Sequence, residues 1–347
     1  MSGVRFNQPR GILRKGWSAT VGDYAISGGW ALRGKMLMVV DAAGGVFGFE
    51  GNSGKIKWQA SNTHGLGLLS MDVHPSGAFF ATGGQDGRVL IWQASDGQIS
   101  QTIELGKGWV EHLAWSPDGQ WLAVSISRRV HVYHIDGHQA WQSEDHPSTV
   151  SALAWSGKDE LASACYGRVT FFGSSQGDVR QKLEWRGSLV SMVLSADGDI
   201  VACGSQDNTV HFWRRSTGND SMMSGYPGKP SSLAFDSTGT LLATGGSDAV
   251  TVWSFEDGGP EGTEPGVLTI HVQPITALSF APQGFKLASG GRDGGVAVWS
   301  LNSDGKGGLV GADLVRDIVA DLFWRPDGRS LAALDATGGV TVWRVGK

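Results

Sequence analysis

The sequence predicts an all-β repeat protein of propeller type, and three observations carry that reading. A Gly/Asp turn followed by a short apolar strand and a closing aromatic recurs eight times, the copies stand near the propeller period, and no window offers a capped helix of ordinary length. The clearest copies are GGQDGRVLIW, SQDNTVHFW, GGSDAVTVW, GGRDGGVAVW and DATGGVTVW, closing at Trp92, Trp213, Trp253, Trp299 and Trp343. AAGGVFGF, SRRVHVY and YGRVTFF, closing at Phe49, Tyr133 and Phe172, are weaker ones. Successive closing residues lie 43, 41, 39, 41, 40, 46 and 44 positions apart. Each unit is named below by its closing aromatic.

Within a unit the elements follow one order: an apolar strand, a tight turn, a second apolar strand, the Asp/Gly turn, a third strand, a looser turn and an outer strand. The tight turns read HPSG, SPDG, SADG, DSTG, APQG and RPDG. Pro presets one turn dihedral and Gly supplies a positive φ, the chemistry a β-turn demands. In the first unit DYAISGGW supplies the innermost strand, KMLMVV the second, GVFGFE the third and KIKWQA the outer one. One such sheet cannot bury both faces alone, but sheets packed face to face around an axis can.

Eight units of about 41 residues cover roughly 330 positions. The expectation is therefore one domain over residues 1–347 with eight four-stranded blades, seven being the alternative. The last unit stops at VTVWRVGK, just after its third strand, which leaves an edge open to aggregation. The segment Ile12 to Trp17 (ILRKGW) falls where outer strands fall in other units, so residues 12–17 are expected to complete the last blade and close the ring.

Composition agrees with many tight turns joining aromatic strands: the chain has 53 Gly and 15 Trp, an excess of both. A formal charge of −5 spread without long like-charge runs gives no reason to expect nucleic acid or an anionic membrane as partner. The amino terminus lacks the apolar run of a secretion signal and no window reaches a membrane-spanning length, so a cytoplasmic location is expected. Cys165 and Cys203 fall in apolar strands and read as buried, unpaired thiols.

These units resemble WD40 repeats over nearly the whole chain. Such repeats join a His to a Ser or Thr on the second strand, an Asp in the turn and a Trp on the third strand. His64, Thr82, Asp86 and Trp92 match the family spacings of 18, 4 and 6, and so do His271, Ser289, Asp293 and Trp299. The resemblance implies two structural tetrads in which imidazole bonds hydroxyl and carboxylate while the Trp N–H donates outward. Elsewhere the pattern departs. One unit has Trp185, Cys203, Asp207 and Trp213; another has Tyr226, Thr244, Asp248 and Trp253; a third keeps His146 and Ser163 but has Gly167 where Asp belongs. The Phe49, Tyr133 and Trp343 units show no tetrad and are expected to rely on packing.

Propeller function lies on loops that vary without disturbing the strands. Aligned units place Tyr24, Trp109, Thr149, Ser188, Lys229, Pro274 and Ile318 just before innermost strands, and Gln85, Arg128, Tyr166, Gln206, Ser247 and Arg292 beside the Asp/Gly turns. Tyr24, Gln85, Trp109, Arg128, Tyr166, Gln206, Lys229 and Arg292 are the candidate partner-binding residues, since aromatic and Arg side chains dominate interface energetics. Trp30, Trp115, Trp155, Phe235, Phe280 and Trp324 share one innermost-strand slot and are expected to pack against the next blade. Glu256 to Pro265, an acidic Gly/Pro insertion, reads as a solvated loop on the opposite face.

Enzymatic motifs are lacking. The stretch 173–177 spells G-x-S-x-G but joins two strands, no P-loop or H-E-x-x-H occurs, and no catalytic residue, cofactor site or metal site is assigned. The segment His131 to His138 is the one metal-like cluster. On a strand His131 and His134 point apart, so an ion would gather at most His134, Asp136 and His138, and incidental surface histidines are the favoured reading. The sequence thus implies a noncatalytic scaffold or adaptor that binds a protein or peptide on the Asp/Gly-turn face. A propeller enzyme using the central channel and a metal-handling accessory protein are the alternatives.

Overall fold

The computed structural model describes residues 12–346. The first residues of the leader and residue 347, both inside the expected 1–347 domain, lie outside the described residues. Among the described residues the chain is all β, apart from two short 3-10 turns at Leu32–Gly34 and Glu256–Gly258.

The Trp92 unit shows how the sequence writes a sheet. Its strands Leu68–Val73, Phe79–Gly84, Arg88–Gln93 and Ile99–Glu104 pair antiparallel in that order, from the axis outward. Gly77 in the HPSG turn and Gly87 in the Asp/Gly turn adopt φ of 69° and 72°, which a side chain would resist. The middle strands are covered on both faces, so they read as unbroken apolar runs with Phe80, Leu90 and Trp92 buried. The outer strand has one wet face and alternates, Ile103 buried between exposed Thr102 and Glu104.

Among the described residues the hydrogen-bonded sheets number seven, the count of the alternative reading and not eight separate four-stranded sheets. Six have four strands and one has six. The cause is the strand Val179–Leu194, which runs for 16 residues. Its first part pairs with Glu160–Gly173, as in Val169 opposite Leu183, and its last part with Ile200–Ser205, as in Met192 opposite Cys203. Pro or two Gly stand between outer and innermost strands at 61–67, 105–109, 143–151, 224–231 and 270–274, whereas EWRGS at 184–188 has one Gly and no Pro. VRDI at 315–318 also lacks a stop, but its strands stay separate. No unit is stranded outside. The innermost strands touch in succession and the contact returns from Val319–Trp324 to Ala25–Ala31.

The strand Leu13–Thr20 pairs antiparallel with Gly339–Val345 and is the outermost member of the last sheet. It runs three residues past the expected limit of 17. A bulge between Lys15 and Trp17 turns the Trp17 ring onto Phe49, 5.8 Å away in the first unit, while its N–H donates to the Gly51 carbonyl at 2.9 Å. Backbone and side chain therefore join the two ends of the described chain.

Trp17 belongs to a series the sequence did not announce. Trp58 Nε1 donates to Ala94 O at 3.2 Å and Trp141 Nε1 to Ser174 O at 2.7 Å. Each is an outer-strand residue reaching the turn between the third and outer strands of the following unit. Gln101 does the same toward Asp136 O at 3.2 Å.

The innermost-strand aromatics lean the other way. Trp30, Trp155 and Trp324 donate to Phe323 O, Ala114 O and Ser279 O at 3.2, 2.9 and 2.9 Å, all in the preceding unit. The expectation that they face the next blade is corrected, because pleat alternation fixes which residues share a face but not which neighbour that face meets. Trp115 likewise meets His74 of the preceding unit, ring centroids 4.8 Å apart. The insertion Glu256 to Pro265 is solvated only in part, since Gly259 and Pro260 are buried.

Candidate functional site

The face that carries the Asp/Gly turns is built on side-chain locks. Trp92 Nε1 donates to Thr82 Oγ1 at 2.9 Å, Thr82 lies 2.9 Å from His64 Nε2, and His64 Nδ1 lies 3.0 Å from Asp86 Oδ1. With imidazole neutral, one direction satisfies every group: Trp N–H to hydroxyl, hydroxyl to Nε2, Nδ1–H to carboxylate. The Trp N–H therefore points inward to the hydroxyl, correcting the outward donor expected from the sequence. Burial holds His64 below the ordinary imidazole range, partly opposed by Asp86. Burial raises Asp86, but the His64 and Arg88 hydrogen bonds outweigh it and keep its carboxyl low. His271, Ser289, Asp293 and Trp299 repeat the arrangement at 3.2, 2.9 and 2.9 Å.

Other units reach the same end differently. In the Trp253 unit Tyr226 replaces imidazole: its hydroxyl lies 2.8 Å from Thr244 Oγ1 and accepts Trp253 Nε1 at 3.0 Å. His146 keeps Ser163 at 2.7 Å and turns its other nitrogen to Arg128 O at 3.0 Å. The Phe49 and Trp343 units were expected to rely on packing, yet each buries one carboxylate at the end of its second strand. Asp41 accepts the amides of Gly45 and Gly22 at 2.7 and 3.1 Å, and Asp335 those of Gly339 and Arg316 at 2.9 and 3.4 Å. A single Asp thus joins strand, turn and approach segment. The sequence signal was an Asp closing each second strand, in MVVD and AALD, four residues before a Gly.

On this scaffold the turns and the segments leading into innermost strands meet edge to edge. Gln85 N donates to Gly67 O, Gln206 N to Ser188 O and Arg292 N to Pro274 O, each at 2.9 Å. Tyr24 O accepts Ala42 N at 2.9 Å, and Ser148 Oγ accepts Tyr166 N at 2.8 Å. The structure therefore gathers the candidate partner-binding residues on one face. Tyr24, Trp109 and Tyr166 are 42%, 54% and 57% exposed, and Arg128, Gln206, Lys229 and Arg292 are exposed too. Gln85 is half-buried, and Arg128 is tied down by its Nε bond to His146 O at 2.8 Å. Leu66 and Val272, 71% and 59% exposed on the same approach segments, were missed because nothing in a one-letter pattern marks an apolar loop residue as solvent-facing.

Two carboxylates near the axis were also missed. Asp72 and Asp321 sit on innermost strands, and burial raises both to about 7. Each is tied to the following unit: Asp72 Oδ2 accepts Trp115 N at 2.7 Å, and Asp321 Oδ2 lies 3.4 Å from the Ser27 hydroxyl. Cys165 and Cys203 are buried free thiols, and burial pushes both upward. The G-x-S-x-G stretch is the strand-to-strand turn that holds Ser174 and Gly177 under Trp141. In the segment His131 to His138, His131 is buried on its strand while His134, Asp136 and His138 converge on the turn.

Comparison with known proteins adds a family and a fold. The family model described as "WD domain, G-beta repeat" matches residues 59–93, 97–134, 178–214, 221–254 and 262–300, a little over half of the chain. Similar curated proteins include Protein hir1 of Schizosaccharomyces pombe, 25% identical over 83% of this chain and 37% of that protein. Pre-mRNA-processing factor 19 of Oryza sativa subsp. japonica is 25% identical over 69% and 39%. Actin-interacting protein 1 of Caenorhabditis elegans is 24% identical over 69% and 40%. The chain spans well under half the length of these three relatives. Among solved structures the computationally designed Ika8 protein superposes with a TM-score of 0.82, at 20% identity, over 96% of this chain and all of that one. The RRP9 WD40 repeats superpose at 0.65, with 15% identity, over 80% of this chain and 94% of that one.

Proposed function

Because the chain belongs to the WD40-repeat family, we propose that it is a noncatalytic scaffold or adaptor that holds a protein or peptide on the face formed by its Asp/Gly turns. WD40 propellers generally serve protein interaction. The observation that carries the choice of face is the exposure of Tyr24, Leu66, Trp109, Tyr166 and Val272 on approach segments and turns that are otherwise fixed by backbone hydrogen bonds. Large apolar side chains on a rigid rim lose little conformational freedom on binding, which is what an interface anchor requires. The Arg and Lys side chains beside them supply a polar surround. The relatives are named for different processes, so the repeat is common to them and no particular partner is carried over.

The test is affinity capture from the native cell with wild type and with Trp109→Ala plus Arg292→Ala. The expected outcome is loss of at least one specific partner; retention of every partner would reject the face.

The ring is read as eightfold, with the six-stranded sheet acting as two blades that share the strand Val179–Leu194. Support comes from that strand's change of partner near Ser188 and from innermost-strand contacts that run through all eight units. A density map viewed down the axis is expected to resolve eight wedges, and seven would sink the reading. The strand Leu13–Thr20 is read as the clasp of that ring.

A further inference from the structure

We propose that the turn between the third and outer strands of the Tyr133 unit binds a divalent transition-metal cation of the zinc class, with His134, Asp136 and His138 as its protein ligands. One donor atom from each side chain lies within 4.8 Å of the other two. His134 Nδ1 and His138 Nδ1 both face Asp136 Oδ1, at 3.1 and 2.5 Å. Tetrahedral coordination with bonds of about 2.0–2.1 Å places donors about 3.3–3.5 Å apart. The separations of 2.5 and 3.1 Å to Asp136 Oδ1 and the upper limit of 4.8 Å bracket that spacing. Two imidazoles and one carboxylate suit zinc and its neighbours better than calcium or magnesium, which favour all-oxygen shells.

Among the described residues the arrangement is specific to this turn. In the Trp92 and Trp299 units the matching Asp-Gly-x turns are Asp96-Gly97-Gln98 and Asp304-Gly305-Lys306, whose Asp side chains likewise accept the amide two residues on. Asp136 does this for His138 N at 3.2 Å, so the carboxylate is fixed by ordinary turn chemistry. What differs is length and flank. Gln93 stands three residues before Asp96, whereas His134 stands two before Asp136, which brings its ring alongside that of His138, centroids 5.0 Å apart. The backbone beneath is closed by His134 N to His138 O at 3.0 Å and Gly137 N to His134 O at 2.7 Å.

Neighbours hold the ligands in place. Trp121 packs edge-on against the His134 ring at 5.3 Å, and Gln101 of the preceding unit reaches over Gly137 to Asp136 O. The His134, Asp136 and His138 side chains are 28%, 58% and 63% exposed, so an ion has access and at least one coordination position stays open to water or to a donor from a partner. His131 takes no part, since it points to the buried side of the strand.

Isothermal calorimetry of the whole chain with zinc chloride near pH 7.5 tests the site. One zinc per chain with a micromolar dissociation constant is expected, weakened about tenfold or more in His134→Ala and in His138→Ala. Asp136→Asn, which keeps the turn acceptor and removes the charge, is expected to weaken binding as well. Thermal unfolding of His138→Ala at the wild-type midpoint separates loss of a ligand from loss of the fold. Absence of heat up to submillimolar zinc overturns the proposal, and so does weakening in neither or only one of the histidine variants.

Discussion

The Trp92 and Trp213 units start from nearly the same sentence and end in opposite chemistry. Thr82, Asp86 and Trp92 have counterparts in Cys203, Asp207 and Trp213 at the same spacing. In the first, a hydroxyl links indole to imidazole and every buried donor finds an acceptor. In the second, a thiol stands at the hub, Trp185 replaces the imidazole, and His211 enters from the third strand instead. Its ring stacks on Trp185 with centroids 3.7 Å apart and meets Trp213 edge-on at 4.3 Å. His211 Nδ1 has no partner, and Nε2 lies 3.2 Å from Asp220 Oδ2 without hydrogen-bond alignment. Packing can thus replace a polar lock, but it leaves a buried nitrogen whose protonation the fold resists.

Breaking the hub gives the largest contrast. Thr82→Val removes the partner of both Trp92 and His64 and is expected to cost about 2–4 kcal/mol, because two buried nitrogens lose their bonds. Cys203→Ala, at the equivalent position, is expected to cost about 1 kcal/mol, a packing loss alone. Chemical denaturation of both variants checks the difference, and equal losses would show that the hydroxyl has no special role.

The comparison sharpens with pH. Burial lowers His211 to about 4 from an ordinary 6.5, partly opposed by Asp220. A depressed histidine contributes stability that is complete above the unfolded value and is lost as pH falls from about 6.5 toward 4, here up to about 3 kcal/mol. His211→Phe is expected to flatten that acid limb; an unchanged slope would remove His211 as its cause. In the Trp92 unit the sign reverses. Burial raises Asp72 to about 7 from 3.8, so the folded chain holds the proton more tightly and stability declines as pH rises from about 4 through 7. Asp72→Asn retains an acceptor for Trp115 N–H and is expected to raise the melting midpoint at pH 8, with little effect at pH 4. A fall at pH 8 would contradict this.

The smallest stability effect belongs to the surface. Trp109→Ala is expected to change unfolding free energy by less than about 0.5 kcal/mol, since the ring is 54% exposed, while still weakening partner capture. A large loss of stability would make Trp109 a structural residue.

What the sequence disclosed follows from distance along the chain. His64, Thr82, Asp86 and Trp92 lie within one unit at fixed offsets, so their meeting could be read, as could the Gly and Asp of each turn. The face residues followed from aligning units. The reach of Trp17, Trp58 and Trp141 to the next unit spans 33 to 36 positions with no local pattern, and was hidden. So was the neighbour that Trp30 and its equivalents meet, which depends on how whole sheets pack. The merged sheet escaped because a continuing strand leaves no mark of its own: EWRGS at 184–188 lacks Pro, but so does VRDI at 315–318, where the strands stay separate. His211 escaped because it occupies no position in the tetrad pattern.

A photo-crosslinking residue placed at 109 or 166, compared with one at 99 or 267 on the outer strands, tests the interaction face most directly. In the native cell the same protein should be trapped from positions 109 and 166 and be absent from 99 and 267. Adducts formed chiefly from the outer strands, or none from the turn face, would contradict the account.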